Sequence, residues 1–180
     1  MKKHDKCLET RPETVSIVGM GFTANEYIKS RNRYQDWSSF TDETWGVNFV
    51  GNWLKCDKIF LMDGITDDKG VSNTSEWEQW ATQYIDTPII CPFAIKELKS
   101  SVRYPLEQVI NATQDLWFGN TIAYMIAYAC SIGVKQLQMY GCDFSYEYKE
   151  IANRQAGENV VITPERMQQI QGIEIGHAAV

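Results

Sequence analysis

The residues of this chain that could do chemistry are glycines, amides, hydroxyls and isolated carboxylates at the ends of short apolar runs, types that hold phosphate and ribose. Gly19-Met-Gly21-Phe-Thr23-Ala24 fits the pattern G-x-G-x-x-A, in which glycines permit a tight turn and a close approach of backbone to pyrophosphate. The same glycines would also be needed for a tight turn alone. Asn48 and Asp63 each follow an apolar run, Asp143 follows Gly141 at the end of another, and Asn120-Thr121 opens a long helical pattern. A helix start with Asn and Thr exposes N–H groups and hydroxyls that suit a phosphate. A carboxylate at 143 can accept hydrogen bonds from ribose hydroxyls or a base amino group, or it can cap the turn after a strand. Asp63 has the same two readings, the ligand version being Mg²⁺ held by one carboxylate and the phosphates. His177 could serve as a general base, or stand at the surface as the fourth residue from the end of the given sequence.

The elements that must position these residues alternate along the chain. Val15-Ser-Ile-Val18 runs into the glycine turn and a helix over 24–31, which is strand, turn and helix. Thr44–Asn48 and Lys58–Met62 read as further strands, the latter apolar on both faces, as strands buried in parallel sheets are. Ser75 with Glu78 forms a capping box, and Trp77, Trp80, Ala81 and Tyr84 fall at helical spacing over 75–86. Pro88–Cys91 is a fourth strand, while 95–115 is mostly polar and broken at Tyr104-Pro105. From Asn120 to Gly133 the apolar residues recur every three or four positions, with Gly133 set to end the helix, and Lys135–Tyr140 alternates as a strand. Such alternation predicts an α/β fold: one Rossmann-like three-layer domain with a mostly parallel, doubly wound sheet of five or six strands. Residues 14–146 would form the nucleotide-binding domain, 1–13 an N-terminal extension, and 147–180, with a helix near Pro164, a lid or flank.

Composition narrows the partners. A chain of 180 residues with 44% hydrophobic and 22% charged residues can build one core without disulfide or metal. The net charge is −6 with no basic run beyond Lys2-Lys3, which excludes the electropositive face of a protein that binds double-stranded nucleic acid. Five scattered cysteines without C-x-x-C fit neither a disulfide framework nor a zinc site, and suggest reduced cytoplasm. The amino end has no apolar signal region and no stretch is long and apolar enough to enter a membrane. Oligomeric state is left open, a homo-oligomer included.

The motifs together resemble a known group. Val-Gly-Met-Gly-Phe-Thr-Ala, Trp-Gly-Val-Asn, Ile-Phe-Leu-Met-Asp and the block Asn120–Phe144 look like the Rossmann-like superfamily of bacterial lipooligosaccharide sialyltransferases, archaeal pterin pyrophosphokinases and uncharacterised phage-borne relatives, the last being nearest. The resemblance covers about residues 14–146. It implies that Gly21, Thr23, Asn48, Asn120, Thr121, Gly141 and Asp143 line a nucleotide pocket. It also implies that Tyr146 or Tyr148 donates to a departing phosphate, although two tyrosines in a polar stretch also suit lid packing. The turn carries Met20 and Phe22 where the sialyltransferases carry Asn and Pro.

The expected function is a nucleotide-dependent transferase, glycosyltransferase-like or pyrophosphokinase-like, using a nucleotide-sugar or a nucleoside triphosphate. The alternative is a non-catalytic nucleotide-binding protein, such as a phage factor that sequesters a nucleotide signal in the host cytoplasm. A nicotinamide dehydrogenase is a third reading of the glycine turn, but the second strand of such an enzyme ends in Asp or Glu to hold the ribose, and here it ends at the uncharged Asn48. Reduced nicotinamide cofactors are therefore expected to bind poorly and to stay unoxidised. Absorbance at 340 nm checks this, and hydride transfer with any common substrate contradicts it.

Overall fold

Apolar runs of three to five residues, too short for helices, pair side by side when helices can cover both of their faces. The computed structural model describes residues 5–21, 23–34, 39–62, 86–95 and 98–142. They form β1 (Thr14–Val18), α1 (Ala24–Arg31), β2 (Glu43–Val47), β3 (Lys58–Phe60), β4 (Ile89–Cys91), β5 (Ser101–Arg103), α2 (Leu106–Thr113), α3 (Thr121–Ile132) and β6 (Gln136–Tyr140). The strands lie in the order β5-β4-β3-β2-β1-β6, and all five pairings are parallel. The fold is a single α/β domain with one six-stranded parallel sheet, as the alternation of elements predicts.

Side chains alternate across the sheet and make two cores. Val15, Ile17, Trp45, Val47, Phe60 and Ile90 meet α2 and α3 on one face. Val18, Ile59, Leu61, Ile89 and Cys91 meet α1 and the turn Asn48–Asn52 on the other. On the α3 face the Trp45 ring, fully buried, stands 5.4 Å from both Phe60 and Tyr128. Each such aromatic pair stabilises by about 0.5–1.5 kcal/mol beyond its area burial. On the α1 face Tyr27 packs edge-on to Tyr140 at 5.4 Å and shares a 2.6 Å hydrogen bond with Thr44.

The helix ends are set by local chemistry. Asn120 Oδ1 accepts from Ala123 N at 2.9 Å and starts α3, while Gly133, at φ 78°, ends it in the left-handed conformation that glycine adopts without strain. The polar stretch 95–115 holds β5 and α2, which the sequence pattern does not show. Only three residues long, β5 turns Ser101 inward, where its hydroxyl accepts from Ile95 N and donates to Ile95 O. Pro105 is the residue from which α2 starts, so the break at Tyr104-Pro105 is a junction between two elements. The helix expected over 75–86 and the one near Pro164 lie outside the described residues.

The third strand is not apolar throughout, because it begins with a buried lysine. Lys58, 1% exposed, pairs with the Glu43 carboxylate, donates to Thr10 Oγ1 at 2.9 Å, and lies 5.2 Å from the Trp45 ring centre. Glu43 also accepts from Trp45 Nε1 at 2.6 Å. Residues 5–13 are thereby joined to the amino edge of the sheet, with Leu8 packed on the α3-side core and Glu13 O accepting from Lys135 N and Gln136 N. Lys58→Ala leaves Glu43 without its cation and is expected to cost about 3–5 kcal/mol, with most of the loss recovered in Lys58→Met/Glu43→Gln. Urea unfolding of both variants measures this; a single variant as stable as wild type would show that the pair contributes nothing.

Candidate functional site

Parallel sheets bind ligands at the carboxyl ends of their strands, where the chain leaves the sheet in turns. The turn after β1 is pressed onto the turn after β6. Gly19 N donates to Tyr140 O at 2.7 Å, Gly21 N donates to Gly141 O at 2.9 Å, and Thr23 Oγ1 accepts from Gly141 N at 2.9 Å. A Cβ on Gly19 would overlap Gly141 O. One on Gly141 would lie 2.6 Å from Gly19 O and 2.9 Å from the Ala24 Cβ, and Gly141 also has φ 65°. The structure thus gives Gly19 and Gly141 a packing role, letting two backbones touch, while the Thr23 hydroxyl holds Gly141 in place. Gly19, Gly21, Thr23 and Gly141 are one cluster, joining β1, α1 and β6.

Asn48 stands one strand away. The second strand stops at Val47, one residue earlier than its apolar pattern suggests, and Asn48 takes φ 48°, a left-handed conformation that asparagine tolerates better than most residues. Its Oδ1 is buried. Part of the reason for an amide here is therefore conformational. Met20 and Phe49, 58% and 43% exposed, rim the same edge beside Gly19 and Asn48. Met20 stands out in sequence only as a departure from the sialyltransferase turn, and Phe49 not at all, since an apolar residue next to a strand reads as more strand.

Asn120 and Thr121 stand elsewhere on the edge. Tyr104 N donates to Cys91 O at 2.7 Å, and Tyr104 OH donates to Tyr124 O at 2.8 Å, so the first turn of α3 lies beside the ends of β4 and β5. With strands roughly 4.8 Å apart, three strand spacings separate that end from β1 by about 14 Å. The Asn120 side chain caps α3 and Thr121 is 4% exposed, so both hold the helix start in place. Asn120→Ala is accordingly a stability change of about 1 kcal/mol as well as a test of binding.

None of these seven residues, Gly19, Gly21, Thr23, Asn48, Asn120, Thr121 and Gly141, titrates near neutrality. Asp63, Asp143, Tyr146, Tyr148 and His177, which carry the ionisable chemistry expected from sequence, lie outside the described residues. Burial pushes the thiols of Cys56 and Cys91 up to about 12, so neither provides a thiolate at neutral pH. Burial likewise raises the hydroxyl pKa values of Tyr104 and Tyr128. Among the described residues no group of three or more His, Cys, Asp or Glu could hold a metal ion, and no helix is long and apolar enough to cross a membrane.

Comparison with protein-family models, curated proteins and solved structures found no match.

The contact between the two turns makes a quantitative distinction among glycines. Gly133 is also left-handed, at φ 78°, but a Cβ there would meet nothing within 4 Å. Gly133→Ala should cost only the conformational penalty, about 1–2 kcal/mol, whereas Gly141→Ala adds overlap worth about 1–3 kcal/mol more. Equal losses in thermal or urea unfolding would show that the β1 and β6 turns are not in close contact.

Proposed function

We propose that the chain is a nucleotide-dependent transferase whose ligand lies along the carboxyl edge of the sheet, from the β1–β6 turns towards the start of α3. The observation that carries this reading is the strand order. It runs outward from β1 in both directions, with α1, which follows β1, on one face and α3, which leads to β6, on the other. Strand ends at such a reversal diverge and leave a crevice, the usual ligand site of open parallel sheets. Of the residues singled out by the resemblance to sialyltransferases and pterin pyrophosphokinases, the described ones stand in turns or at the helix start on this edge.

A ligand touching both groups of residues must span three strand spacings, which suits a nucleotide carrying a further group better than a bare nucleoside. The reaction is displacement at the carbon or phosphorus next to the leaving phosphate, with the acceptor oxygen forming the new bond and the electron pair departing on the phosphate. Catalysis then rests on positioning and on stabilising phosphate charge, not on a covalent nucleophile. Asp143, two residues beyond Gly141, would hold the ribose or base, and Asp63 would carry any Mg²⁺. Tyr146 would donate to the departing phosphate, and His177 would accept the acceptor's proton.

A second reading is capture of a nucleotide without turnover, favoured by the altered glycine turn, which carries Met20 and Phe22 where the sialyltransferases carry Asn and Pro. Incubation with nucleotide-sugars and nucleoside triphosphates, followed by chromatography after denaturation, decides between the two readings. Altered ligand supports the transferase, ligand recovered intact supports capture, and no retention of any nucleotide refutes both.

Asp143→Asn keeps shape and removes charge. It is expected to lower nucleotide affinity about tenfold, roughly 1.4 kcal/mol, while leaving stability within about 1 kcal/mol of wild type. Calorimetric titration and thermal unfolding together check this; a variant that melts early yet binds normally makes Asp143 a turn cap.

A further inference from the structure

Among the described residues, β6 is the outermost strand and its outer main-chain edge is open. Gln136 N donates to Glu13 O and Tyr140 O accepts from Gly19 N, so residues 136, 138 and 140 direct their peptide groups towards β1. By the two-residue alternation of a strand, the N–H and C=O groups of Leu137 and Met139 point away from the sheet. No described residue pairs with them. The strand, Gln-Leu-Gln-Met-Tyr, contains neither the proline nor the charged residue that commonly protects an edge. The opposite edge, β5, is shorter and buries two of its three residues.

The two faces of β6 also differ. On the α1 face Gln138 is engaged, accepting from Ser16 Oγ at 2.9 Å and donating to Phe40 O at 3.1 Å, and Tyr140 packs on Tyr27. On the α3 face Met139 pairs in register with the fully buried Ile17 yet is itself 45% exposed. Leu137 is half-buried beside it.

We infer that β6 is the homodimer interface of this protein, pairing antiparallel with β6 of a second copy about a two-fold axis at Gln138. That register sets Leu137 opposite Met139 of the second copy, and Met139 opposite its Leu137. Both are hydrogen-bonded pairs, so the four open groups of each strand are all satisfied by four hydrogen bonds. The same register places Leu137 and Met139 of the two copies side by side on the α3 face, covering the exposed methionine. Shifting the axis by one residue either way leaves only one of the two open residues of each strand paired within the strand, so self-pairing selects this register. The six described strands of each copy then form one continuous sheet.

Light scattering and sedimentation of the full chain from about 1 to 500 µM test the inference, in the range where so short a pairing should associate. The expected result is a mass that doubles with concentration and slowed hydrogen exchange at the Leu137 and Met139 amides. In Met139→Lys the exposed site accepts the charge without disturbing the monomer, and association should weaken at least tenfold. Met139→Pro, which removes an outward N–H, should do the same. A monomer at every concentration overturns the inference. So does a dimer indifferent to both variants, which would use another surface. Amides protected in a monomer overturn it as well, because residues 143–180 of the same chain would then cover the edge.

Discussion

Gly19 and Gly141 meet backbone to backbone where β1 and β6 leave the sheet, and no side chain fits between them. Much else follows from that contact. It brings the end of β6 against the start of α1, through Ala24 and the Thr23 hydroxyl, and so fixes where the chain beyond Gly141 emerges. It also ties strands whose paired residues, Thr14 with Gln136 at one end and Val18 with Tyr140 at the other, are far apart in sequence. A nucleotide crevice at this junction would be framed by a rigid backbone joint rather than by mobile side chains. The joint would hold whatever chemistry the following residues bring at a constant distance from the turn after β1.

The elements legible in sequence are those whose signals are local. The α3 helix begins beside Asn120, carries apolar residues at helical spacing and ends at Gly133, as the sequence pattern predicts, while the capping role of the Asn120 side chain is seen only in the structure. The bounds of α1 are equally plain, because the glycine turn precedes it directly. By contrast β5 is three residues whose serine turns inward to bond the Ile95 backbone, a contact across a loop that no periodicity reveals. Lys58 opens a strand that reads as apolar because its countercharge, Glu43, lies on another strand. The site is legible to the same extent. Position at strand ends can be read from sequence, whereas the role of each residue depends on what it touches. Thr23 bonds Gly141, Asn120 caps its own helix, and Asn48 adopts a conformation few residues tolerate, so each has a structural duty within the motif.

The two edges of the sheet divide the polar chemistry between them. The amino edge holds a buried ion pair, Lys58 with Glu43, neutralised internally and shielded by residues 5–13. The carboxyl edge presents glycines, amides and hydroxyls among exposed apolar residues such as Met20 and Phe49. Internal charge supports the fold at the amino edge, while the described turns at the carboxyl edge are weakly polar and rich in backbone groups, as a ligand bringing its own charge, if bound there as proposed, would require.

The position of β1 has a consequence for how the chain must fold. One of its sides can pair with β2 as soon as residue 47 is available, but the other waits for β6, 122 positions later at Thr14 and Gln136. Loop closure over so long a segment is slow, and until it happens β1 keeps an unsatisfied row of main-chain groups beside Val15 and Ile17. During synthesis this exposed strand must persist until β6 emerges. Nascent chains are then most prone to misassociation just before β6 emerges, and truncation short of Tyr140 should yield aggregates rather than a smaller folded domain.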